Sequence, residues 1–170
     1  MPGSQRSRIT AVTDFFYLRM RHRDAWSSAE AGTITPEHGF ASLRGHKYRL
    51  LTTFRKSGEP IPTPVWFGLA DGKVYLRSEE AVGKVKRIRS NPRVRIAPST
   101  LRGKPLGPPA EGRARILAPD ESERAERAIA ANYGLLRKLY ERGGNRLPID
   151  RVSMEVEPLA DRGAAPTDAD

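Results

Sequence analysis

The sequence predicts a mainly β fold: a small antiparallel barrel of six short strands, closed or split, with a few short helices. Three observations predict it. Apolar and polar residues alternate in six separate short runs. Two tight Gly-containing turns join the first three runs, so the strands they link run antiparallel. One short helical segment interrupts the series after the third run, and the regular alternation of strands with many helices that marks a parallel sheet is missing. Closing such a sheet removes the edges that short strands would otherwise expose.

Tyr48 to Arg55 alternates Tyr48, Leu50, Thr52 and Phe54 against Arg49, Leu51, Thr53 and Arg55, which is a strand. Lys56-Ser57-Gly58-Glu59 turns the chain. Ile61 to Leu69 places Ile61, Thr63, Val65, Phe67 and Leu69 on one side, and Pro62, Pro64, Trp66 and Gly68 on the other. Proline cannot donate to a ladder, so this second strand belongs at an edge or beside a ligand. Asp71-Gly72 closes a second hairpin, and Lys73 to Arg77 is the third strand, with Val74 and Leu76 inward. Arg93 to Ala97 is the fourth. Ser99 to Pro109 is a Gly/Pro-rich loop, and Ala110 to Leu117 is the fifth strand, whose small residues Gly112 and Ala114 allow close approach. Asp120 and Glu123 form a capping box for a helix through Ala128, Ile129 and Tyr133, with Gly134 as its stop. A further helical piece carries Leu135, Leu136, Leu139 and Tyr140. Arg151 to Glu157 is the last strand, with Val152, Met154 and Val156 inward.

Residues 39–158 therefore form one domain. Residues 1–38 are expected as a mobile extension, in which Thr13 or Asp14 caps a short amphipathic helix through Phe15, Phe16, Leu18 and Met20. Residues 159–170 are expected as a disordered tail. The 170-residue chain is long enough for a real core. It contains no cysteine, which excludes disulfides, thiolate metal sites and Cys nucleophiles. It has no apolar run of membrane-spanning length and no secretory signal, which fits a cytoplasmic protein that uses no membrane. The three histidines, His22, His38 and His46, lack metal-ligand spacing and read as surface residues. Dinucleotide and P-loop phosphate motifs and a nucleophile elbow are absent.

The formal charge of +10 points to an anionic partner. It is concentrated around Gly83 to Pro92. Val82, Val85 and Ile88 recur at helical spacing and give one apolar stripe, Lys84 and Arg87 share a second face, and Lys86 and Ser90 a third. Ser78 reads as the cap of this helix, with Glu79 and Glu80 at its positive end, and Pro92 disfavours helical geometry at Asn91. No acid lies between Ala81 and Ala110, where Lys84, Lys86, Arg87, Arg89, Arg93, Arg95, Arg102 and Lys104 all fall. Such a single-sign field reads equally as a solvated basic helix or as the seat of an anion. Arg93 and Arg95 read as outward strand charges. No residue stands out as an obligatory acid or base, although Tyr48, Tyr133 and Lys104 have the right chemistry to donate a proton.

From His46 to Pro158 the sequence resembles the pyridoxamine-phosphate-oxidase-like split barrels of the FMN-binding type, and specifically the actinobacterial branch that uses the deazaflavin coenzyme F420. The resemblance is carried by Lys47-Tyr48-Arg49-Leu50-Leu51-Thr52-Thr53-Phe54-Arg55, by Pro62-Thr63-Pro64-Val65-Trp66-Phe67, by Gly83 to Val94 and by Arg102-Gly103-Lys104-Pro105-Leu106-Gly107-Pro108. It implies a homodimer with the cofactor in a groove at the interface. It also implies that the backbone of Thr63, Pro64, Val65 and Trp66 runs along the ring edge, that Arg77, Ser78 and Lys84 hold the phosphate, and that Lys86 is a further cofactor-binding residue. Flavin-type members often carry Ser-Arg just before the lysine that matches Lys84. This chain has Val82-Gly83 there, which favours coenzyme F420 over FMN. A deazaflavin with a phosphodiester and a polyglutamate tail is multiply anionic and suits a basic groove.

The resulting expectation is an oxidoreductase that passes a hydride between coenzyme F420 and a small organic acceptor. The alternatives are an FMN-binding oxidoreductase of the same fold or a non-catalytic holder of a flavin-like cofactor. A nucleic-acid-binding barrel rests on charge alone, because the strands lack the interleaved aromatics of a stacking platform.

Overall fold

The computed structural model describes residues 22–30, 32, 40, 43–133 and 150–159. In chain order the elements are α1 (Asp24–Glu30), β1 (Tyr48–Phe54), β2 (Pro60–Val65), β3 (Phe67–Ala70), β4 (Lys73–Glu79), α2 (Gly83–Ser90), β5 (Arg93–Ser99), β6 (Ala110–Ile116), α3 (Ser122–Tyr133) and β7 (Arg151–Pro158). The strands form one antiparallel sheet in the order β2-β1-β5-β6-β7-β4-β3. The expected fold class is the observed one, but the strand count is seven rather than six.

The difference lies at Trp66. The stretch Ile61 to Leu69 is not one strand. It pairs with β1 up to Val65 and with β4 from Phe67 onward. β2 and β3 are the two outermost strands of the sheet, yet one residue separates them in the chain. Two residues of chain span at most about 7 Å, so the sheet must curl until its edges meet there. No ladder joins β2 to β3 among the described residues, so the barrel is closed by connectivity and split in hydrogen bonding. The prolines suit this placement. Pro60, Pro62 and Pro64 fall on alternate positions of an edge strand, so the ladder to β1 uses the N–H groups of Ile61, Thr63 and Val65. The free edge of β2 then offers carbonyl acceptors without donors, which also blunts edge-to-edge association.

The barrel is filled by Leu51, Val65, Phe67, Val74, Leu76, Val94, Ile96, Ala114, Met154 and Val156. The stripe Val82, Val85 and Ile88 of α2 packs into the same core, as its spacing predicts. The helix ends at Ser90, and Asn91 is extended before Pro92. Its start differs from expectation. Ser78 lies inside β4 and is buried, and the residue preceding the helix is Val82, which makes no side-chain capping bond. The strand simply runs on past Arg77, which leaves no room for a cap at Ser78.

Two further layers cover the outer face. α3 packs on β3, β4 and β7 through Ala125, Ala128, Ile129 and Tyr133, against Tyr75 and Leu117. Its entry is not capped by Asp120 and Glu123. A 3-10 turn, Pro119–Glu121, precedes it, and the Ala118 N–H donates to Glu121 Oε2 at 3.0 Å while the Glu121 N–H donates to the Ala118 carbonyl at 3.1 Å. On the other side α1 packs on β2, with Ala25 against Leu50 and Ala97. Part of the expected mobile extension is therefore a packed helix, because Ala25, Ser28 and Ala29 give it a small buried face. The amphipathic segment around Phe15, the piece from Leu135 to Tyr140 and the tail beyond Leu159 lie outside the described residues.

Candidate functional site

The basic run around α2 meets more acid in three dimensions than in sequence. Arg89 pairs with Glu80, Arg93 and Arg95 both reach Glu111, and Arg95 Nη1 donates to the Ala29 carbonyl at 2.8 Å. The eight-cation field without acids is thus corrected. The residues from Arg89 to Arg95 are matched by carboxylates from just outside the run and by a carbonyl of α1. Glu111 is held below the usual carboxylate range, first by the Arg93 bond. Glu80 is spent on the last turn of α2, so the first turn carries no acid. Lys84 sits half-buried in that first turn, and Lys86 is exposed one residue past Val85. Arg87 Nε donates to Thr53 Oγ1 at 2.7 Å and ties α2 to β1.

Arg77 and Ser78 do not converge as one phosphate clamp. Adjacent residues of a strand face opposite sides. Ser78 is buried, while Arg77 points outward to Glu126 of α3 at 3.1 Å. Thr63 and Pro64 are half-buried, Val65 is part of the core, and Trp66 is half-buried at the crossing between the sheet edges. Val65 is the partner of Arg49, whereas the α2 contact is at Thr53, four residues on. That separates the Trp66 end of β1 from the α2 end by about 13 Å.

The crossing itself is built by α3, a helix the sequence predicts but whose place at the crossing it does not reveal. A strand that leaves one ladder and joins another exposes its peptide groups. Here Tyr133 and Asn132 satisfy them: the Phe67 N–H donates to Tyr133 Oη at 3.2 Å, and Asn132 Nδ2 donates to the Phe67 carbonyl at 3.1 Å. Tyr133 in turn donates its proton to the Lys47 carbonyl. Its ring stacks on Trp66 with centroids 4.9 Å apart and tilts against Tyr48 at 6.4 Å. Burial pushes the Tyr133 hydroxyl up to about 12, so it stays neutral at physiological pH. With both donor and acceptor capacity engaged, it is a structural hydroxyl and not a proton source. Tyr133→Phe is expected to lower unfolding stability by about 1–3 kcal/mol, the penalty for buried polar groups left unpaired. Urea denaturation would read the loss, with the Trp66 fluorescence maximum unchanged because the stack survives.

A barrel split at one crossing, with a basic helix closing into its core, defines a split-barrel protein. The family model described as pyridoxamine 5'-phosphate oxidase matches residues 35–160. The chain belongs to that family. Similar folds include a conserved hypothetical protein, Rv2991, of Mycobacterium tuberculosis, at 18% identity and a TM-score of 0.50, covering 82% of this chain and 98% of that one. Another is the protein Atu2129, of unknown function, from Agrobacterium tumefaciens, at 21% identity and 0.55, covering 74% of this chain and 56% of that one. A third is HutZ, the heme storage protein of Vibrio cholerae, at 16% identity and 0.51, covering 70% and 86%. At these identities they establish the fold. No curated protein gives a significant match to the sequence. Among the described residues, no helix is long and apolar enough to cross a membrane.

Proposed function

We propose that this protein is a cytoplasmic oxidoreductase that uses coenzyme F420 and works as a homodimer on a small organic acceptor. The observation that carries the reading is the first turn of α2: it has no capping side chain and no acid, and it bears Lys84 directly after Gly83. Free N–H groups and the positive end of a helix favour an anion. Glu80, which stands just ahead of the helix in sequence, is turned to Arg89 instead. Lys84 would hold the phosphate, Lys86 would meet the cofactor from another face of α2, and Thr63 to Trp66 would run along the ring. The carbonyl-only edge of β2 suits a ring edge that carries N–H donors. Arg77 serves the docking of α3 through Glu126 in this reading. The cofactor, when bound, supplies the hydride chemistry, while the chain binds and orients it.

Titration of the purified protein with coenzyme F420, FMN and FAD, followed by fluorescence, tests this directly. Tightest binding of coenzyme F420 is expected, because Val82-Gly83 lacks the cation that flavin-type relatives often place there. Equal or tighter FMN binding reverses the ranking in favour of an FMN-dependent enzyme. Lys84→Ala is expected to weaken cofactor binding by about 1.5–3 kcal/mol, the range for a hydrogen bond to a charged group. An unchanged dissociation constant would remove Lys84 from the site. A non-catalytic holder of the cofactor is the second reading, favoured by the engagement of Tyr133 in structure. Tight binding without turnover of any acceptor would support it.

A further inference from the structure

Arg49 is the largest fully buried side chain among the described residues, at 0% exposure. It projects into the barrel beside the crossing, in register with Val65 on β2 and Pro98 on β5. One face of its guanidinium lies over the Phe67 ring, with Cζ 3.9 Å from the centroid. Nη1 donates to the Tyr48 carbonyl at 3.0 Å. Nε and Nη2 are buried with no hydrogen-bond partner among the described residues. These two are the nitrogens whose N–H bonds lie side by side, the fork that a carboxylate takes with both oxygens. The plane is therefore fixed by the ring and by Nη1, and the fork is left open.

A buried guanidinium with two unmet donors is costly, and a cation–π contact does not offset it. Burial already lowers Arg49 to about 10. Hydrophobic side chains of similar volume would serve the barrel at least as well. The neighbours in register, Val65 and Pro98, add no side-chain donor, and the hydroxyl of nearby Tyr133 already donates to the Lys47 carbonyl, so the fork offers two parallel hydrogen bonds to one planar anion. That number suits a carboxylate and falls short of what the three oxygens of a phosphate would need.

We propose that the Nε–Nη2 fork of Arg49 is a carboxylate-binding site, and that the acceptor substrate is an organic acid anchored there by its carboxylate. The second half rests on the oxidoreductase reading above. The first half does not, because it concerns the cofactor-free protein. The site is enclosed, so the carboxylate enters only as the side chains around the fork give way, and a small probe is the right one.

The test is thermal unfolding of the cofactor-free full chain with increasing sodium acetate at constant ionic strength, against acetamide and sodium chloride. Acetate is expected to raise Tm saturably, and acetamide and chloride are not. Arg49→Met is expected to reduce the acetate shift to that of chloride while leaving the ligand-free Tm unchanged or higher. Arg49→Lys, which keeps the charge and loses the fork, is expected to weaken acetate at least tenfold. Equal effects of acetate and acetamide would overturn the site, as would a large drop in ligand-free Tm for Arg49→Met, which would make the guanidinium structural. Saturable acetate binding together with failure to bind coenzyme F420 or FMN would leave the site standing and overturn only its assignment to a redox acceptor.

Discussion

Gly68→Ala is expected to lower the stability of the fold by about 3 kcal/mol or more, at the upper end of what overpacking a core does. A Cβ built on Gly68 falls 2.2 Å from the Ala128 carbonyl carbon and 2.4 Å from the Ile129 nitrogen. Both atoms belong to the backbone of α3, so no rotamer change relieves the clash. The helix must move away from β3 by more than 1 Å to restore ordinary contact. That movement pulls on Asn132 and Tyr133, which hold both polar groups of Phe67. The peptide at the sheet crossing would lose its partners with the packing, and the two losses compound. Gly32, which has nothing within 4 Å of its Cβ position among the described residues, is the control: Gly32→Ala is expected to change stability by less than about 0.5 kcal/mol. Urea denaturation reads both variants, and Trp66 fluorescence reports whether the stack on Tyr133 has opened. A Gly68→Ala protein as stable as the parent would mean that α3 docks loosely and does not fix the crossing.

What was legible in the sequence depended on how local its cause is. The strands at Tyr48, Lys73, Arg93, Ala110 and Arg151 announce themselves because a half-buried strand alternates. The stripe Val82, Val85 and Ile88 announces α2 for the same kind of reason. Pro62 and Pro64 correctly mark an edge. Trp66 carries no comparable mark. The inward–outward alternation runs through it undisturbed, and only the exchange of β1 for β4 as ladder partner reveals the break. Arg49 is hidden by the same logic: alternation puts it on the side of Leu51, but charge argues for solvent, and tertiary packing overrules the charge. The candidate site was legible in part. Lys84 and Lys86 stand where the helix pattern puts them. The pairing of Arg77 with Glu126 and of Arg95 with Glu111 joins residues far apart in the chain, so a count of charges along a window overstated the free positive field.

Glu155→Gln is the second large effect, and its size should depend on pH. Glu155 is 3% exposed, on the face of β7 that α3 covers. Its Oε2 accepts the Tyr75 hydroxyl at 2.9 Å, and its Oε1 accepts Arg115 Nε at 3.0 Å and Lys73 Nζ at 3.2 Å. Burial alone would raise this carboxyl, but the bonds from Tyr75, Arg115 and Lys73 outweigh it and hold the group below its usual range. A depressed folded value means that ionised Glu155 stabilises the fold fully above the unfolded carboxyl value, about 4.3, and that the contribution is lost as pH falls through the folded value. Breaking a buried ion pair costs about 3–5 kcal/mol. Lys73 and Arg115 keep 30% and 49% exposure and return partly to water, so the expected loss at neutral pH is about 2–3 kcal/mol after that discount. The same substitution should cost progressively less as pH falls below about 4, because the parent carboxyl is then becoming protonated as well. Glu111 and Glu121 are depressed too, Glu121 to about 2 first through its bond with Arg115, so both proteins keep losing stability on further acidification. Denaturation at pH 7 and at pH 3 therefore separates two accounts. If the difference between parent and Glu155→Gln narrows at pH 3, the carboxylate charge holds Tyr75, Lys73 and Arg115 together. If it stays constant, the loss comes from shape alone and the ion network contributes nothing.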